Sequence, residues 1–372
     1  MIESFAQLET PALLVDLDLM HANIRRTAEY AATHGLHYRP HVKTHKSSWV
    51  AAQQVEAGAS GLTCATPREA EVMSAVTPDL LLAYPVIGET RIRRIAELAS
   101  RTSLRVMLDS TEALAALART SALAGRDIGV LVELDVGMHR TGVSSVEDAV
   151  ALARRAADTA GLRWLGIGCY PGHIRTVVDG VSPELSALSS RIDATIAALT
   201  AAGLPPSVVS AGSTPTLWQS HHVAGLTEIR PGTSVYNDRT TAAIGGCTID
   251  ECALTVLATV ISVAVSGQAV VDAGTKALGR EPIRGVEAPG FGVLHSHPDV
   301  IVSAMSEEHG MLDLSGTPWR PRIGDRVRII PNHVCIVVHL ADRVHGIRGG
   351  EIITSWEVEA RGREATAPEH GA

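Results

Sequence analysis

Leu104-Arg105-Val106-Met107-Leu108-Asp109, then Ser110 and an Ala- and Leu-rich segment through Leu117, then Gly129-Val130-Leu131-Val132-Glu133-Leu134-Asp135, is the stretch that decides the fold. Two short apolar runs flank a segment that opens on a capping serine and carries Glu112 in its first turn, the pattern of strand, helix, strand.

The same unit recurs on both sides, from residue 36 to residue 231. Strand candidates fall at residues 36–43, 61–65, 80–84, 104–109, 129–135, 165–170, 208–212 and 227–230. Eight strands with helical crossovers are what a closed (β/α)8 barrel of the TIM type requires, although a doubly wound open sheet uses the same alternation. Thr66 caps a helix over 67–75 with Glu69 three residues on, and 183–202 carries Leu and Ile at helical spacing.

After about residue 245 the pattern changes to short β-branched runs between Gly, Pro and Asp turns, at 253–265, 268–271, 286–293, 326–330, 335–339 and 351–358. The expectation is a barrel over residues 1–245 and a mostly-β domain over 246–372. The opening strand at 11–18 is expected to pair with the second domain, and the tail from Arg361 to fray.

A formal charge of -8 with scattered Arg and Lys argues against a nucleic-acid partner, which needs clustered positive charge. The longest apolar stretch, at 254–271, is broken by Thr, Ser, Gly and Gln and reads as strands, so no membrane partner is expected. No export signal opens the chain, and Cys64, Cys169, Cys247, Cys252 and Cys335 lack disulfide spacing, which points to a reducing cytoplasm. Cys247 and Cys252 are near enough in sequence to pair, but are read as free thiols.

Arg39-Pro40-His41-Val42-Lys43-Thr44-His45-Lys46 ends the first barrel strand, where barrels place their active sites. Strand periodicity puts His41, Lys43 and His45 on one face, and neighbouring cations such as Arg39 or His41 would make Lys43 a better nucleophile. Lys46 is the competing amine, expected off that face. The turns 212–216 and 231–233 close strands seven and eight with small and hydroxylated residues, among them Ser213, Thr214, Gly232 and Thr233, and together could form an anion nest. Arg140 could bind a carboxylate or brace its loop, and Tyr170 and His173 could line a ring. His333 and Cys335 are both good zinc ligands, on one face if that segment is extended, but alone are equally a loop histidine beside a buried cysteine. Glu308 and His309 form another polar cluster, while His295 and His297 are possible pocket residues.

In these motifs the chain resembles the fold-type III pyridoxal-phosphate enzymes, specifically the D-threonine aldolase and D-serine dehydratase family, related more distantly to alanine racemase. The resemblance runs from Thr10-Pro11-Ala12 through 39–46, Tyr170-Pro171-Gly172-His173, 212–216, 230–233 and 306–310 to Pro331-Asn332-His333-Val334-Cys335. It implies that Lys43 carries pyridoxal 5'-phosphate, that the two turns hold the phosphate, and that His333 and Cys335 bind a divalent metal in a homodimer. Zinc is favoured over Mg or Mn because a thiolate is soft. The implied substrate is a small 3-hydroxy-D-amino acid such as D-serine, D-threonine or D-threo-3-hydroxyaspartate. Family members with Cys at the second metal position tend to be dehydratases and those with Asp aldolases, so Cys335 favours release of a 2-keto acid and ammonia. The alternative is retro-aldol cleavage to glycine and an aldehyde, with His173, His309 or a bound water as base. A racemase would leave the metal pair idle, and a non-catalytic cofactor-binding protein would lack the large second domain.

Overall fold

The computed structural model describes residues 4–177 and 180–364. The first strand, β1 (Ala12–Asp16), precedes eight strands of a parallel sheet: β2 (His37–Tyr38), β3 (Leu62–Cys64), β4 (Asp79–Leu82), β5 (Ser103–Leu108), β6 (Ile128–Leu134), β7 (Leu162–Cys169), β8 (Val208–Ala211) and β9 (Glu228–Ile229). Their order is β2-β9-β8-β7-β6-β5-β4-β3. A parallel bridge between His41 and Thr63 joins the two ends, with Val42 N donating to Thr63 O and Thr63 N to Pro40 O. All eight expected strands are therefore present, in a closed ring.

Helices cover the ring, and four of the crossover helices open on a capping side chain, Thr66, Ser110, Ser145 or Ser182. Thr66 and Ser110 accept from Glu69 N and Ala113 N, opening Pro67–Met73 and Thr111–Ala124. Inside the ring, Arg39 is fully buried and donates to Glu228 at 2.6 Å and Asp79 at 3.0 Å. Its charge is met inside the ring by these two carboxylates.

The second sheet contains β10 (Leu254–Ser262), β11 (Gln268–Val271), β12 (Gly292–Leu294), β13 (Val302–Met305), β14 (Gly310–Asp313), β15 (Arg326–Pro331), β16 (Arg343–Arg348) and β17 (Glu351–Glu357). Its path is β13-β14-β11-β10-β1-β16-β17, with β15 pairing both β10 and β12. β1 sits in this sheet, antiparallel to β10 and parallel to β16. The helix Leu17–Thr33 follows β1, and its Leu17, Met20 and Ile24 enter the core of this sheet with Tyr236 and Trp356.

Two strand expectations fail. Only 292–294 of the run 286–293 and its neighbour is strand, and residues 335–339 belong to an α-helix, Val334–Leu340. The β-branched residues there suggested a strand, but Val334, Val337 and Val338 are buried at helical spacing, and Asp238 accepts from Val334 N at the helix start. Residues 361–364 are also held, since Arg94 donates to the carbonyls of Arg363 and Glu364. The rest of the tail lies outside the described residues. Among these, no helix is long and apolar enough to cross a membrane, and all five cysteines are free thiols.

Candidate active site

A cavity of about 800 Å³ opens at the C-terminal ends of the barrel strands. His41, Lys43 and Lys46 follow β2, Glu133 ends β6, and Arg140 and Thr141 stand on the loop after it. Tyr170 follows β7, Gly212, Ser213 and Thr214 follow β8, and Arg230, Gly232 and Thr233 follow β9; His333 and Cys335 approach from the second sheet. Nine of the residues singled out in the sequence thus line one cavity: Lys43, Arg140, Tyr170, Ser213, Thr214, Gly232, Thr233, His333 and Cys335.

The Lys43 ammonium lies 5.3 Å from the centre of the Tyr170 ring, and the Arg140 guanidinium 4.9 Å from the same centre. The chain turns after His41, so the expected face of alternating residues is broken. His45 points inward to Gln54 at 3.2 Å, and Lys46 instead reaches the cavity wall, with its ammonium paired to Glu69. Lys43 makes no ion pair among the described residues. Desolvation, then the charges of Lys43 and Arg230, hold the His41 imidazole well below its ordinary range, so it is neutral beside the lysine.

The turn after β8 is built for a ligand. Gly212 has φ of +112°, a conformation that suits glycine, and it delivers Ser213 and Thr214 to the cavity. Thr214 Oγ1 is buried without a partner, a donor and acceptor awaiting a bound group. A Cβ on Gly232 would come within 2.9 Å of His41 O and 3.0 Å of Thr44 Oγ1, so glycine keeps the second turn close to the first strand. Hydroxyls and small residues of this kind fit a phosphate.

Asp238, 1% exposed, organises the opposite side. Its Oδ2 accepts from His333 Nδ1 at 3.0 Å and Val334 N at 3.2 Å, while Oδ1 accepts from Thr241 N at 2.8 Å and Thr241 Oγ1 at 2.7 Å. With Nδ1 engaged by Asp238, Nε2 is the His333 nitrogen turned toward Cys335. Cys335 Sγ lies 3.3 Å from Thr44 Oγ1. Desolvation would raise the Cys335 thiol, but His333, then Lys43, pull it down to about 7. His333 moves the other way: desolvation is outweighed by Cys335 and Asp238, which push it up to about 11. The metal-free pair is therefore an imidazolium beside a readily formed thiolate, a donor set that suits a soft divalent ion. Among the described residues no group of three or more His, Cys, Asp or Glu stands together as a metal cage.

Two candidate bases are not on the wall. The His173 ring lies against Gly137, its Nε2 3.1 Å from where a Cβ would stand, and its Nδ1 is buried without a partner. His309 is in the exposed turn between β13 and β14, 3.4 Å from Ser306 Oγ, beside the Lys276–Glu308 pair. Its place follows from the hairpin, which carries 306–309 to the edge of the second sheet. His295 lies against Arg328 and His297 stacks on Trp319, both off the wall. Arg239 donates to Pro289 O and Asn332 Oδ1 and does not line the cavity.

Sequence reasoning missed Asp238, Glu69 and Arg230 as parts of the site. Asp238 carries a local signal, as the cap of Arg239–Ala243, but nothing local says that its second oxygen meets His333. Arg230 is buried and donates to Ser210 Oγ and Cys169 O, beneath the turn that its neighbours form.

A closed parallel barrel with a lysine after its first strand, and a mostly-β unit lining the same cavity, is the alanine racemase-like fold. The chain belongs to the family described as "Alanine racemase, N-terminal domain", whose model matches residues 15–240; "Putative serine dehydratase domain" matches residues 253–347. It is 35% identical to D-threo-3-hydroxyaspartate dehydratase of Delftia sp. (strain HT23), over 96% of this chain and 99% of that one. The crystal structure of D-threonine aldolase from Filomicrobium marinum superposes with a TM-score of 0.88 at 32% identity, covering 97% of this chain and 98% of that one. A cysteine-to-alanine variant of D-threo-3-hydroxyaspartate dehydratase, in a metal-free form, superposes with a TM-score of 0.86 at 34% identity, covering 97% and 100%.

Proposed function

We propose that the protein is a pyridoxal 5'-phosphate- and divalent-metal-dependent lyase that dehydrates a small 3-hydroxy-D-amino acid to a 2-keto acid and ammonia. The observation that carries the reading is the convergence of Lys43 and the His333–Cys335 pair on one cavity. Residues 1–245 would hold the cofactor and residues 246–372 the metal, in a cytoplasmic homodimer.

Ser213, Thr214, Gly232 and Thr233 would hold the cofactor phosphate, which gives the orphaned Thr214 hydroxyl its partner. Pyridoxal phosphate, bound through Lys43, supplies an electron sink for charge developing at the α-carbon. His333 and Cys335 would hold the ion, zinc by the softness of the thiolate, which supplies Lewis acidity toward a β-hydroxyl. Lys43, once its nitrogen is free, takes the α-proton, and the neighbouring Tyr170 ring shields that amine from water. Arg140, 4.9 Å from the centre of the same ring, would orient an anionic group of the bound molecules. Asp238 fixes the His333 ring so that its free nitrogen faces Cys335.

Aldol cleavage to glycine and an aldehyde is the second reading, favoured by the likeness to D-threonine aldolase. It needs a base at the β-hydroxyl; neither His173 nor His309 lines the cavity of this chain, which leaves that role to a bound water. Purified protein loaded with cofactor and zinc should be given D-serine, D-threonine and D-threo-3-hydroxyaspartate separately. Keto acid with ammonia is the expected product; glycine with aldehyde would replace the dehydratase reading by the aldolase.

A further inference from the structure

Lys46 is the second amine of the 39–46 motif, and the proposed reaction leaves it without a task. It is held by three contacts. Its backbone sits at φ +52°, the left-handed region that residues with a side chain seldom adopt. Its N–H donates to Val42 O at 2.8 Å, its carbonyl accepts from Ala360 N at 3.0 Å, and its ammonium pairs with Glu69. Glu69 has no exposed surface and its other oxygen accepts from Ala65 N at 2.6 Å.

Lys43, Lys46 and Glu69 all line the same cavity, and Lys43 and Lys46 both exert their charge on His41. A buried carboxylate deprived of its cation is strongly destabilised, and draws in whatever cation can reach it. Lys43, three residues upstream and without an ion pair among the described residues, is the other lysine that lines this cavity. An ammonium held by a carboxylate stays protonated and cannot attack a carbonyl carbon.

We propose that Lys46 is a positioning residue: by neutralising Glu69 on the cavity wall it prevents that carboxylate from capturing Lys43, and so leaves the Lys43 amine free to bind the cofactor. The inference rests on the reading of Lys43 as the cofactor-bearing lysine. It assigns the second lysine of the motif a role that mere packing would not require, because the effect of losing Lys46 then depends on Glu69.

The test follows the covalent linkage itself. Full-length protein is incubated with pyridoxal 5'-phosphate across a series of pH values, reduced with borohydride, and the labelled lysine located and quantified by mass spectrometry, with thermal unfolding in parallel. Lys46→Met is expected to move the pH of half-maximal labelling at Lys43 upward by about one unit or more. Adding Glu69→Gln to it should bring the midpoint back toward that of the unmutated protein. Glu69→Gln alone, which keeps Lys46, should leave the midpoint unchanged or lower it, and serves as the test if Lys46→Met does not fold. An unshifted midpoint in Lys46→Met, a double variant no better than the single, or an upward shift in Glu69→Gln overturns the inference. Absence of label at Lys43 in the unmutated protein overturns the reading of Lys43 and the inference together, whereas normal labelling with no shift overturns the inference alone.

Discussion

Asp238→Asn is the substitution whose outcome the geometry fixes most closely. The carboxylate receives four donors, two from Thr241 on Oδ1 and two, His333 Nδ1 and Val334 N, on Oδ2. An amide has one oxygen, so two of the four donors must face an NH2 group. If the oxygen stays with Thr241, His333 Nδ1 meets a donor and takes its proton to Nε2 instead, which removes the nitrogen that would bind the metal. If the oxygen stays with His333, Thr241 loses both of its bonds and the first turn of Arg239–Ala243 loosens. Loss of such an orienting carboxylate lowers metal affinity by about 10–100-fold, or roughly 1.4–2.7 kcal/mol. Competition between the protein and a chromophoric chelator for zinc measures this directly, and thermal unfolding of the metal-free protein separates it from a loss of fold. A variant that melts lower but binds zinc as tightly as the unmutated protein would refute the argument that Asp238 sets the histidine's ligand atom.

Thr214→Val removes a buried hydroxyl that has no partner in the ligand-free protein. The cofactor-free variant should be as stable as the parent or more so by about 1 kcal/mol, while cofactor affinity, measured by fluorescence titration, falls about tenfold or more. Zinc binding should release protons in a pH-dependent number. Near pH 8 Cys335, drawn down to about 7, is already a thiolate and only His333, pushed up to about 11, gives up a proton, so about one is released; toward pH 6 the number rises toward two and the affinity falls. Calorimetric titrations in buffers of different ionisation enthalpy count them, and a number that does not change between the two pH values would contradict the assigned pair. Glu228→Gln, which leaves Arg39 buried beside an uncharged amide, should destabilise the barrel by about 3 kcal/mol in denaturant unfolding, with KM unchanged because Glu228 is off the cavity wall.

The barrel was legible because strand-helix units carry their own punctuation. Apolar runs of strand length and capping residues such as Thr66 and Ser110 act through contacts within a few residues, so the eight strands and their order could be read without knowing what they pack against. A segment misread in a way that touches the site, 335–339, is a helix whose β-branched residues have a local preference for strand. Burial of Val334, Val337 and Val338 and the Asp238 carboxylate at its start outweigh that preference, and both come from distant parts of the chain.

The site divides along the same line. The sequence by itself determined the fold type, the lysine at the end of the first barrel strand, the hydroxyl-rich turns after the last two, and the His333–Cys335 pair, because each lies within a short contiguous motif. Tertiary structure alone decided which of two neighbouring lysines is free. Lys46 turns to Glu69, twenty-three positions away, and Lys43 is left facing the cavity. It also decided that His173 and His309 stand off the wall while Asp238, ninety-five positions from His333, reaches it. The reason is physical: a side chain's charge state and aim depend on partners that only the closed ring and the second sheet bring within hydrogen-bonding distance, and such contacts leave no trace in local composition or spacing.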